Sequence, residues 1–213
     1  MIKRVVAILS TLFVLFFAFA ILSISFLKAA SVNYAFYDTS NLEGKVEGSQ
    51  KEEIKYYFAY PGKILPDSSL WTIKALRDQL WLLVTTNNQK KAELLLLFSD
   101  KRLISAKILF EKNKAEIAFP TLEKAEKYLE RAALTSAENR KKGVDTTSFD
   151  IRLATASLKH RDVIENGIMQ TAPEDAKPRI VKVSNYAKQV YQSAAEGLRE
   201  KGVIPPENPF ETI

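Results

Sequence analysis

The stretch YPGKILPDSSLWTIKALRDQLW, Tyr60 to Trp81, is where the chain stops reading as extended and starts reading as helix. Just before it, Ile54, Tyr56, Phe58 and Tyr60 recur at every second position, the period of a short extended piece pressed against an apolar surface. Inside it, Pro61-Gly62 is a turn dipeptide, because Pro fixes φ and Gly takes a positive φ without a steric cost. Leu65, then Asp67 or Ser68 as an N-cap, then Leu70 are the signals of a helix start. From there Leu70, Ile73, Leu76, Leu80 and Val84 form the stripe of a first helix over about Ser68–Val84, and the pattern predicts that this stripe faces the core. Trp71 and Trp81 lie ten positions apart on different sides of that helix, so each covers a different neighbour rather than forming one aromatic box.

The helical period continues to the end of the chain. A second helix, about Asn88–Lys112, carries the apolar block Leu94–Phe98 and then Leu103, Ala106 and Phe110, a face wide enough to be touched on more than one side. A third, about Ala115–Lys141, carries Leu122, Ala125, Leu129, Ala132 and Ser136; Gly143 terminates it and Pro120 sits in its first turn or at a kink. A fourth, about Ser148–Met169, has Phe149, Leu153, Ala156, Val163 and Ile168. A fifth starts at Pro173, carries Ile180, Val183, Ala187, Val190, Ala194 and Leu198, and stops at Gly202. Long helices with short links make sequential neighbours antiparallel. The expected fold is all-α: an up-down bundle of about five helices behind an N-terminal transmembrane helix, with the proline-rich tail VIPPENPFETI unpacked.

The transmembrane expectation rests on Val5–Leu27, which contains no charged residue and would span about 34 Å as a helix. A cleaved signal peptide is the alternative, with a shorter apolar stretch and a small-x-small site. Here the Ala18-x-Ala20 motif lies within the apolar run, and cleavage after Ala30 would put Lys28 where a small residue is needed. Lys3 and Arg4 before the segment and Lys28 after it orient the N-terminus to the cytoplasm and the remainder outside. The chain thus divides into residues 1–28, a membrane anchor or long signal peptide; 29–60, a spacer with aromatic clusters; 61–202, a helical bundle domain; and 203–213, the tail. Of the two aromatic clusters, Val32–Tyr37 is assigned to the membrane interface and Ile54–Tyr60 to the domain surface.

Charge and composition exclude several chemistries. The 213 residues carry 31 Lys and Arg against 25 Asp and Glu. Three of those cations flank the apolar segment, which leaves the rest near +3, too balanced for a phosphate-binding surface. No nucleic-acid partner is expected. Without cysteine there is no disulfide, lipidated cysteine or thiolate. No Gly-x-Ser-x-Gly, phosphate loop or Glu-x-x-His pair occurs, so the expectation is no catalytic, cofactor-binding or metal-ligating residue and no cofactor.

The single histidine, His160, shares a stripe with Leu153, Ala156 and Val163 and reads as a half-buried residue bonded to a neighbouring helix. Glu123 with Lys127, and Glu126 with Glu130 and Arg131, read as solvated helix faces. Asp100-Lys101-Arg102, with Arg77-Asp78 on the first helix, predicts an ion-pair network that sets the register between the first two helices.

The opening stretch, followed by KKAELLLLFSDKRLISAKIL and TLEKAEKYLERA, resembles the uncharacterised bacterial family known as domain of unknown function 5667. The likeness covers about Tyr56–Ala133, with a weaker echo in KHRDVIE, Lys159–Glu165. It implies a helical domain outside the membrane behind a signal or anchor, and it transfers no catalytic residue. The expected function is a membrane-anchored extracytoplasmic interaction or structural domain of the cell envelope, not an enzyme. Its partners would be the bilayer, through residues 5–27, and an envelope protein. Alternatives are a regulatory or sensor component acting with a membrane partner, and a lipid-binding protein or envelope enzyme; a secreted form would follow signal cleavage.

Overall fold

The structure, a computed structural model, describes residues 54–211 together with Ser10, Thr11, Phe13, Val14 and the backbone of Phe36–Tyr37. The chain divides into two compact units, Met1–Ala35 and Phe36–Ile213. In the first, the described residues are helical and exposed. Most of the expected membrane segment 5–27 lies outside the described residues. Among the described residues no helix is long and apolar enough to cross a membrane.

The second unit is all-helical apart from one small strand pair. In that pair β1 (Phe36–Tyr37) runs antiparallel to β2 (Phe58–Ala59), with Phe36 opposite Ala59 and Tyr37 opposite Phe58. Phe36–Tyr37, at the end of the first aromatic cluster, therefore joins the second, and its backbone satisfies the open edge of β2. Five helices follow: α1 (Trp71–Val84), α2 (Asn88–Glu111), α3 (Ala115–Lys141), α4 (Thr147–Asp162) and α5 (Lys177–Arg199). Between α4 and α5 the helix widens into a π segment, Val163–Ile168, and ends in one α turn, Met169–Thr171.

The ends of these helices follow from local chemistry. The Asn87 side chain caps α2 by accepting from the Lys90 amide at 2.9 Å. Three helices close in the same way, with a positive-φ residue just beyond the end and two back-bonded amides. Asn113 (φ 58°), Gly143 (φ 76°) and Gly202 (φ 71°) hold the positive-φ positions. Their amides bond Phe110, Arg140 and Arg199, and the next amides bond Leu109, Asn139 and Leu198. Two start signals read differently. α1 begins at Trp71 with Leu70 as its N-cap residue; of the two expected caps, Asp67 pairs with Lys114 at 2.6 Å and the Ser68 hydroxyl accepts from the Leu70 amide at 3.3 Å. Pro178, not Pro173, is the first-turn proline of α5.

The three residues between α2 and α3 cannot span a 24-residue helix, so the two must run antiparallel, and they pack along their length. α4 packs along α5, and α3 along α5. The core forms two apolar layers. One gathers Leu95, Phe98, Leu129, Leu153 and Ala194; the other gathers Phe58, Leu103, Phe110, Leu122, Ile164 and Ile180. α2 and α4 enter the first layer and leave through the second, while α3 and α5 do the reverse, so successive helices alternate in direction.

Two expectations are corrected here. The stripe Leu70, Ile73, Leu76, Leu80 and Val84 faces solvent, with Leu76 66% and Ile73 68% exposed. The buried side of α1 is mixed: Asp78 is held inside by Arg102, while Leu82 and the half-buried Trp81 join the first apolar layer. The tail also packs, since Tyr191 donates to the Pro206 carbonyl at 2.7 Å and Arg161 lies 4.1 Å over the Phe210 ring.

Candidate functional site

Between the two apolar layers lies a polar one. Each helix of the body interrupts its apolar face at that level: Ser99 and Asp100 on α2, Glu126 on α3, Ser157 and His160 on α4, Ser184 on α5, all buried. His160 is at its centre and fully enclosed. Its Nε2 lies 3.0 Å from Asp100 Oδ1 and its Nδ1 lies 2.7 Å from Glu126 Oε1. The Tyr56 hydroxyl donates to the other Asp100 oxygen at 2.8 Å, and the Phe58 ring meets the imidazole edge-on at 5.4 Å. One extended segment and three helices thus converge on one ring.

A neutral imidazole has one N–H, but here each ring nitrogen faces a carboxylate. The arrangement is therefore that of an imidazolium donating on both sides. Burial alone would lower the His160 pKa; the Glu126 charge and the hydrogen bonds that His160 donates to Asp100 and Glu126 outweigh it and hold the pKa at about 9. Burial lifts Asp100 above the ordinary carboxylate range, partly offset by the bonds from His160 and Tyr56. The Tyr56 phenol is raised well above its usual value by burial and then by the Asp100 charge. Glu126 Oε2 is buried with no hydrogen-bond partner, the one unmet acceptor among these four side chains.

The π segment starts three residues beyond His160, and the Val163 amide bonds both the His160 and Lys159 carbonyls. The local widening returns Ile164 and Ile168 to the second apolar layer. Gly167 lets Lys107 approach closely: a Cβ at that position would sit 3.1 Å from Cε of this buried lysine, whose ammonium bridges Glu111 at 2.7 Å, so the lysine would have to shift by a few tenths of an ångström.

A second polar clasp joins α1 to α2. Arg102 is buried against the rings of Tyr128, Phe98 and Trp71, 4.5, 5.6 and 5.8 Å away. Its guanidinium lies 3.7 Å from Asp78, which also accepts from Arg77 at 2.7 Å. The expected register network between the first two helices therefore exists as Arg77–Asp78–Arg102, while Asp100 turns away from it to His160. A third clasp holds α3, α4 and α5 together: Asp150 accepts from Ser136, Thr146 and Arg140, and Arg140 reaches the Ser193 carbonyl. On the surface, a shallow groove of about 660 Å³ between α3 and α5 is lined by Phe119, Glu123, Glu130, Arg179, Lys182 and Tyr186.

The residues singled out in the sequence are thus redistributed. Glu123 pairs with Lys127 at 2.6 Å on the surface, as expected, but Glu126 is wholly buried. Its angular position between Leu122 and Leu129 was the available signal. His160 is fully rather than half buried. Its nitrogens are occupied, leaving no lone pair for a metal, and among the described residues no cluster of three or more His, Asp or Glu is arranged to hold one. What the layer can do chemically is hold a proton and lock register.

The family model described as Domain of unknown function (DUF5667) matches residues 63–175. The chain belongs to this family. No curated protein and no solved structure matches the chain. The DUF5667 match begins just after the Tyr60-Pro61-Gly62 turn and runs C-terminally past the stretch whose motifs carried the resemblance: it spans α1 to the π segment and holds Asp100, Glu126 and His160, while Tyr56 and α5 lie outside it.

Proposed function

We propose that this DUF5667 protein is a membrane-anchored, extracytoplasmic helical module that acts by binding rather than by catalysis. The observation that carries the reading is α1, which is fixed to the body through Asp78, Leu82 and Trp81 and turns an apolar stripe, edged by Arg77, outward. The uncharged segment Val5–Leu27 supplies the anchor in this reading. The groups with reactive potential, His160, Asp100 and Glu126, are engaged with one another inside the body, which suits a rigid scaffold. A photo-crosslinking residue at Leu80 of the full chain, illuminated in native membranes, tests this. Adducts are expected; a correctly folded protein that forms none at this face overturns the reading.

A further inference from the structure

Leu70, Ile73, Leu76, Leu80, Leu83 and Val84 are each half or more exposed, and Leu83 reaches 77%. At 100° per residue they fill an arc of about 140° on one side of α1. Together they expose on the order of 600 Å² of apolar side chain, at the upper end of what one patch on a soluble monomer presents. The identity of the surface that covers them follows from charge.

Between Tyr60 and Lys91 the chain has five cations, Lys63, Lys74, Arg77, Lys90 and Lys91, and two carboxylates, Asp67 and Asp78. Both carboxylates are already engaged, Asp67 by Lys114 and Asp78 by Arg77 and Arg102. The Lys74 ammonium donates to the Pro61 and Ile64 carbonyls and meets no carboxylate there. A second copy of α1 laid on the first would set these cations against themselves, with Arg77 at the edge of the shared seam. A surface that is apolar beneath and anionic above matches both features.

We propose that α1 is an interfacial helix that rests on an anionic lipid bilayer, its leucines at acyl-chain level and the neighbouring Lys63, Lys90 and Lys91 among the headgroups. This inference rests on the membrane-anchored reading above and names the surface that the binding face takes.

The chain lacks cysteine, so Leu76→Cys or Leu83→Cys in the full-length protein carries a single nitroxide. Leu134→Cys, at an exposed site on α3, is the control. Each labelled protein is reconstituted into phosphatidylcholine vesicles with or without phosphatidylglycerol, after circular dichroism shows native helix content. At Leu76 and Leu83, with phosphatidylglycerol, oxygen should relax the label several-fold more than a soluble nickel chelate, and high salt should reverse the order. Leu134 should stay open to nickel throughout. Equal insertion in both vesicles overturns the choice of an anionic surface. Protection from both reagents with spin–spin broadening assigns the face to a second copy; this overturns the bilayer but leaves the binding reading intact. Nickel access at α1 in vesicles and in native membranes alike overturns both.

Discussion

The body and α1 break the same rule in opposite directions. In the body, ionisable groups lie where apolar residues are expected: His160, Glu126 and Asp100 are buried between two hydrophobic layers. In α1, leucines lie where polar residues are expected. The first inversion is closed, since nearly every buried group finds a partner within the molecule. The second is open, because nothing in the described residues covers the leucines. A closed inversion specifies packing; an open one specifies a partner.

This contrast can be tested by substitution, and the largest effect belongs to the closed side. His160→Ala leaves two carboxylates buried without their shared cation and should cost about 3–5 kcal/mol in urea unfolding. A loss below about 1 kcal/mol would mean that the polar layer is hydrated and not closed at all.

A comparable effect should appear on titration. The folded pKa of His160, about 9, exceeds the unfolded value of 6.5, so its stabilisation is complete below pH 6.5 and is lost as pH rises through about 9. The amount is about 3 kcal/mol, and the raised Asp100 acts in the same direction. The unfolding midpoint should therefore fall on the alkaline side, and His160→Ala should flatten that slope.

A smaller effect probes the third clasp. A Cβ at Gly197 would come within 2.3 Å of the Arg140 guanidinium carbon, and that side chain is held by Asp150 at 2.9 Å. Gly197→Ala should cost about 1–3 kcal/mol, with Arg140→Ala relieving part of the cost of the added methyl.

The smallest effect is expected on the open side. Leu76→Gln and Leu80→Gln should change the stability of the lipid-free protein by no more than about 0.5 kcal/mol. Destabilisation by several kcal/mol would show that the stripe is covered after all and would dissolve the contrast with the body.

Much of this was legible in the sequence, and the failures have physical reasons. Helix spans were readable because the chain marks its ends chemically: Gly143 and Gly202 close α3 and α5 as their positions suggested. Periodicity also identified correctly which residues of α1 share a face. It could not say whether that face turns inward, because the decision was made by Asp78 and its buried partner Arg102 on another helix. Glu126 was missed because its neighbours Glu130 and Arg131 suggested a solvated run, whereas its angle placed it with Leu122 and Leu129. The convergence of His160 with Asp100, 60 positions away, follows only from the stacking of three helices. The tail looked unpacked because prolines hide its two anchoring contacts, one through a backbone carbonyl and one through Phe210.

Both tryptophans of the chain lie on α1, one over the Arg102 guanidinium and the other edge-on to Phe98 at 6.0 Å. Intrinsic fluorescence therefore reports on the attachment of this single helix, whereas far-ultraviolet ellipticity reports on the body. If heating detaches α1 before the body melts, the two signals will trace separate transitions, and the gap between them measures how strongly the Asp78–Arg102 contact holds the helix down.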